Sequence, residues 1–149
     1  MATKLISPNA TLVPSRSRMK AYTTLLGRFS MPFETRVFNM AKKMIRDKDS
    51  NPYDGGLWQY VKLDNGGFFM FPDYPADQLR PDGKLRVTYS ENYFDEYMTP
   101  EAAGLGICIL ALNHMARESQ NQQLATLWEK LDDYYRDHPE SGKLYSLLD

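Results

Sequence analysis

A chain of 149 residues with 42% hydrophobic side chains, among them 10 Tyr, 7 Phe and 2 Trp, has the length of one domain and enough apolar surface for a substantial core. Its 25% charged residues and net charge of -1 exclude wholesale disorder, a nucleic-acid binder's excess of cations and a DNA mimic's excess of carboxylates. The single cysteine, Cys108, leaves no internal disulfide and no multi-cysteine zinc site. With no apolar run of membrane-spanning length and no secretory h-region, the expected location is the cytoplasm.

Residues 1–9 are expected to be flexible, within one domain covering residues 1–149. Turns follow at Ser7-Pro8-Asn9-Ala10 and Pro14-Ser15-Arg16-Ser17. A helix is predicted from Phe33 to Asp47, because Phe33, Val37, Met40, Ala41, Met44 and Ile45 share one arc at helical spacing. Arg36, Lys42, Lys43 and Arg46 lie on the opposite arc and make a basic outer face. Charge is unevenly spread along the chain. Residues 1–50 carry ten Lys/Arg against three Asp/Glu, and residues 51–149 carry eight against sixteen. Such asymmetry marks either an interaction surface or two parts that attract each other within one fold.

The period then changes. Leu57 to Leu63 and Phe68 to Phe71 are rich in strand-favouring aromatic residues, and Asp64-Asn65-Gly66-Gly67 between them predicts a hairpin over 57–71 with positive φ at Gly66. After a Pro-rich loop from Pro72 to Pro81, Leu85, Val87 and Tyr89 alternate with polar residues. Tyr93 to Met98 is expected to pair back, giving further strands over 84–98. Thr99, Pro100 and Glu101 are a helix start. From Ala102 to Leu112 no residue is polar, which places this helix centrally, and Gly104 and Gly106 are expected to admit a close neighbour. A second helix carries Leu124, Leu127, Trp128, Leu131, Tyr134 and Tyr135 on one stripe. His138-Pro139-Glu140-Ser141-Gly142 breaks it, and a short helix closes the chain from Lys143 to Leu148. The whole predicts an α+β domain with one antiparallel sheet of three to four strands, packed by an N-terminal amphipathic helix and C-terminal helices.

No catalytic residue, metal ligand or cofactor site emerges from this pattern. Cys108 and His114 are six residues apart on one helix, too far around and along it for a thiolate–imidazole pair. His114 with Glu118, and His138 with Glu140, lack the spacing of a metal-ligand motif. Gly55-Gly56 and Gly66-Gly67 open no helix and read as turns, not phosphate loops. Two surfaces remain as candidates. One is the basic face of Arg36, Lys42, Lys43 and Arg46, with Arg16, Arg18, Lys20 and Arg28 upstream, which could contact phosphates. The other is the aromatic and acidic segment around Tyr93, Asp95 and Tyr97, whose composition suits a protein interface.

Motifs along the chain resemble the ArdB/KlcA antirestriction family of plasmids and other mobile elements. They begin with Ala10-Thr11-Leu12-Val13-Pro14 and Gly27, and peak at Tyr53-Asp54-Gly55-Gly56-Leu57-Trp58 and Asn65-Gly66-Gly67-Phe68-Phe69-Met70. They return at Met98 to Gly104 (with Ala103), at Asn113, at His138-Pro139-Glu140 and at Leu144-Tyr145. The family pattern usually has an aromatic residue at Leu26, a Trp at Asn39 and an Ala at Phe71. The resemblance implies a non-enzymatic inhibitor of host type I restriction–modification that protects incoming DNA. Its partner would be the restriction complex or an accessory host protein, with neither cofactor nor membrane involved. An accessory protein held to DNA by the basic helix face is the alternative, and an unrecognised hydrolase the third class.

Overall fold

The computed structural model describes residues 5–149. The chain runs β1 (Ala10–Leu12), α1 (Arg18–Leu26), α2 (Ser30–Met44), β2 (Ile45–Arg46), β3 (Trp58–Leu63), β4 (Phe68–Pro72), β5 (Leu85–Tyr89), β6 (Phe94–Met98), α3 (Pro100–Ser119), α4 (Gln122–Tyr135) and α5 (Ser141–Leu148). The fold is α+β. Its strands form two antiparallel three-stranded sheets, ordered β1-β3-β4 and β2-β5-β6.

Both predicted hairpins form, but they do not join into the single sheet expected of them. Each takes a short partner from the first fifty residues instead: Thr11 lies opposite Lys62, and Ile45 opposite Val87. Strands of three and two residues carry too little alternation to be read from sequence. The consequence for α2 is direct. It ends at Met44, and Ile45 turns extended (φ -105°, ψ 133°) to bury its β-branched side chain against the second sheet. Arg46 is therefore a strand residue, not part of the helix face assigned to it. Helix α1 went unpredicted because it buries only Tyr22 and Leu26 and has no side-chain cap at Ser17.

Helix α3 is the centre. Every residue from Glu101 to Leu112 is buried. Thr99 caps it, its Oγ accepting the Ala102 N–H at 3.2 Å. The two glycines do what close packing requires of them. A Cβ at Gly104 would stand 2.4 Å from the Met70 carbonyl oxygen, and one at Gly106 would stand 2.5 Å from Leu147 Cδ2. So β4 and α5 both lie against the backbone of α3. On its other face β4 sends Phe68 into an aromatic cluster with Tyr22, Phe33 and Tyr60.

Of the segment 1–9 expected to be flexible, residues 1–4 lie outside the described residues, while Ile6 and Ser7 are hydrogen-bonded to Glu101 of α3. The Glu101 carboxylate, only 6% exposed, accepts the backbone N–H groups of Ile6 and Ser7 and the Ser7 hydroxyl at 2.6 Å. A buried carboxylate needs such donors, and the N-terminal segment supplies them. The Tyr134 hydroxyl adds a bond to the Pro8 carbonyl at 2.6 Å.

Candidate functional site

Helix α2 and the turn between β5 and β6 face each other across an open groove of about 930 Å³. Met40 and Met44, from the apolar arc of α2, line it together with buried Phe94 at the start of β6. Met31, 81% exposed, stands at its mouth. The α2 wall presents Arg36 and Lys43, while the turn wall presents Glu91, Tyr93 and Asp95. Parts of both surfaces singled out from sequence, Arg36 and Lys43 on one side and Tyr93 and Asp95 on the other, thus line one groove.

The turn is held by the side chain of Asn92. Asn92 donates its side-chain amide to the Leu147 carbonyl at 2.6 Å and accepts the Phe94 N–H at 3.1 Å. The next residue, Tyr93, sits at φ 61° and is 93% exposed. A left-handed backbone costs a bulky residue about 1–2 kcal/mol, and this ring recovers nothing by burial. Folding therefore gives no reason for a tyrosine there, which marks it as a candidate contact residue.

The other predicted surface residues divide. Asp95 lines the groove but is engaged by Arg86 through two bonds of 2.9 and 2.7 Å, and that guanidinium holds its carboxyl below the ordinary value. Tyr97 lies away from the groove with Arg80 stacked 3.6 Å from its ring centroid, and its carbonyl accepts from Lys143. On the basic wall Arg36 pairs with Glu118 at 2.7 Å, tying α2 to α3. Arg46 donates to the Ser50 carbonyl at 3.0 Å. Upstream, Arg18 is spent on Val13, Trp58 and Gln59. Lys42 and Lys43 alone of the four predicted cations are exposed with no ion pair among the described residues.

The motif residues shape the fold more than the groove. Trp58 donates its indole N–H to the Tyr53 hydroxyl at 2.6 Å, which closes the loop carrying Gly55 (φ 133°) and Gly56 (φ 127°). Asn65 donates to the Lys130 carbonyl at 2.9 Å and accepts the Gly67 N–H, docking the hairpin turn on α4; Gly66 has the predicted positive φ, 89°. Pro14 opens the short helical turn Ser15–Ser17, and Gly27 ends α1 at φ 52°. Met70 and Ala103 are fully buried, and Asn113 is half-buried on α3.

The titratable groups are structural too. Burial pushes the Cys108 thiol up to about 12, and its Sγ faces the Met70 carbonyl. His138, 2% exposed, accepts the Glu140 N–H at Nδ1, so its Nε2–H donates to Ser7 Oγ at 3.0 Å. Burial lowers its pKa. The Ser7 hydroxyl in turn donates to Glu101, so it is not held by the imidazole as a nucleophile would be. Glu140 accepts from the Thr99 N–H and hydroxyl, joining two motifs that lie forty residues apart in sequence. Among the described residues no three His, Cys, Asp or Glu side chains are grouped to hold a metal ion. None of their helices is long and apolar enough to cross a membrane. Sequence reasoning missed Ser7 and Glu101 as partners, and nothing local in the sequence links them.

The family model described as antirestriction protein matches residues 51–149. The chain belongs to the antirestriction protein family. It is 30% identical to YafX of Escherichia coli K12 over 103 residues, 69% of this chain and 64% of that protein. To an Escherichia coli antirestriction protein KlcA it is 26% identical over 145 residues, 94% of both chains. Among solved structures it matches one over the full length of both chains, at 27% identity and TM-score 0.79. That structure belongs to work on KlcA and ArdB describing a novel fold and antirestriction activity against type I DNA restriction systems in vivo but not in vitro. The residues matched by the family model include β5, β6 and the turn between them, whereas α2 precedes them.

Proposed function

We propose that this chain relieves host type I restriction of incoming mobile-element DNA in the bacterial cytoplasm. It does so without catalysis, by contact between the turn wall of the groove and the type I restriction–modification complex or an accessory host protein. The observation that carries this reading is the whole-chain similarity to the KlcA and ArdB structure, joined to the family match. Activity of those proteins in vivo but not in vitro favours a route that needs a cellular component. A net charge of -1 argues against imitation of DNA, whose duplex carries one charge per ~1.7 Å of axis.

DNA attachment through α2 is the weaker reading, because Arg36 and Arg46 are already engaged within the chain. Phosphate contacts would also give DNA binding a steep salt dependence. The decisive experiment is the plating efficiency of unmodified phage on a host with a type I system, with and without the protein. Relief of restriction with methylation intact is expected. Equal plating at confirmed soluble expression would refute it.

A further inference from the structure

We propose that a second, smaller pocket, on the opposite flank of α2 from the groove, binds the guanidinium group of an arginine side chain on a protein partner. Glu34 and Phe38 line it from α2, and Trp58 and Tyr60 line it from β3. Positions 34 and 38 lie roughly half a turn around the helix from Arg36 and Lys43, and the two cavities share no residue. The pocket measures about 300 Å³, room for one side chain. Buried Trp58 forms its floor, while Phe38, Tyr60 and Glu34 are half-buried. Met19 and Leu57 stand at the rim, 74% and 73% exposed. Leu57 is brought there by the Gly-Gly-x-Trp motif. Gly55 and Gly56 have φ of 133° and 127° with nothing within 4 Å of their Cβ positions, so the course of the loop, not a close neighbour, requires glycine. The bond from Trp58 to Tyr53 closes that loop. The motif thus sets an exposed leucine and an aromatic floor at one pocket.

Charge selects the occupant. Of the residues lining the pocket only Arg18 and Glu34 are charged. Arg18 is committed within the chain. It donates to Gln59 Oε1 at 2.6 Å, and the Gln59 amide donates to Asp73 at 2.8 Å, so a carboxylate already stands behind this guanidinium. Glu34 has no ion pair among the described residues. An incoming group therefore meets an unbalanced carboxylate beside aromatic rings, which favours a cation and repels phosphate. A guanidinium suits this pair better than an ammonium, because its plane stacks on a ring while its N–H groups reach the carboxylate. The chain makes the same kind of contact itself, with the Arg18 guanidinium 5.6 Å from the Tyr60 ring centroid. The site stands apart from the contact assigned to Tyr93, and its test does not use restriction relief.

The test is NMR titration of the full chain with N-acetyl-arginine methylamide at constant ionic strength, following backbone amides and the Trp58 indole N–H. The lysine and citrulline counterparts of the probe are titrated in parallel. Saturable shifts centred on Glu34, Phe38 and Trp58 are expected, with a Kd on the order of millimolar for so small a probe. The lysine probe should bind more weakly, and the citrulline probe, which has nearly the same shape without the charge, should leave these signals in place. Glu34→Gln keeps the shape of the side chain and breaks no ion pair, so its melting midpoint should match the wild type while its affinity for the arginine probe falls about tenfold or more. The absence of saturable shifts at these residues would overturn the proposal. So would equal binding of the citrulline probe, tighter binding of the lysine probe, or undiminished affinity in Glu34→Gln.

Discussion

Gly104→Ala adds a single methyl group at the tightest point of the molecule. Its carbon would stand 2.4 Å from the Met70 carbonyl oxygen, 2.4 Å from Phe71 Cβ and 2.5 Å from Phe71 Cα. These separations are about 1 Å inside ordinary contact for carbon. Strand β4 has no room to retreat, since all five of its residues are buried and Phe68 on its far side abuts Tyr22 and Phe33. Overpacking of this kind costs about 1–3 kcal/mol, and clashes with backbone put it at the upper end. Alanine recovers about 1 kcal/mol of helix propensity over glycine. The net loss is about 2 kcal/mol, which for a chain of this size lowers Tm by about 4–8 °C. Gly142→Ala in α5 is the control, because nothing lies within 4 Å of its Cβ position. There only the propensity gain operates, and the midpoint should hold or rise. Thermal melts followed by circular dichroism compare the two. A Gly104→Ala melt at or above the wild-type midpoint would refute the packing of β4 on α3.

Gly66→Val should cost at least about 1 kcal/mol through its φ of 89°, while the nearest obstacle, Lys130 Nζ at 3.1 Å, can swing aside; an unchanged melting midpoint would show that the turn is misassigned. Burial holds the His138 pKa below its ordinary 6.5, so the unfolded chain takes up that proton more readily. The stability this neutral imidazole confers is full above about pH 6.5 and is lost as pH falls through the folded value. Urea midpoints near pH 7.5 and about pH 5.5 should therefore fall further for the wild type than for His138→Gln, and equal falls would clear His138 of that role. Lys42→Gln with Lys43→Gln should leave both fold and restriction relief intact, whereas loss of relief at unchanged circular dichroism would move the partner site to α2.

The long periodic elements were legible: the arc of α2, the apolar run of α3, the stripe of α4 and the two hairpins each carry a pattern that burial explains. Strands β1 and β2 were not, because two or three residues hold no period and their pairing is decided by distant partners. That is also why Arg46 was placed on a helix face it does not share. The glycines were readable where their cause is local or steric, as at Gly66 and Gly104. The anchoring of Ser7 on Glu101 joins residues 94 apart in sequence, and no local rule links them. At the groove, composition pointed to Tyr93 and to Lys43 separately. Their juxtaposition depends on how α2 packs beside the second sheet. Asp95 and Tyr97 read as free surface in sequence, but Arg86 and Arg80 already occupy them.

The central claim is that this family member acts through a protein contact centred on Tyr93. Tyr93→Gly separates function from folding, because glycine suits φ 61° and the ring it removes supports no core contact. The measurement is plating of unmodified phage on a host with a type I system, with the wild type and Tyr93→Gly at matched soluble level and equal melting midpoint. The wild type should raise plating efficiency and the variant should leave it near that of cells without the protein. Full relief by Tyr93→Gly would contradict the account.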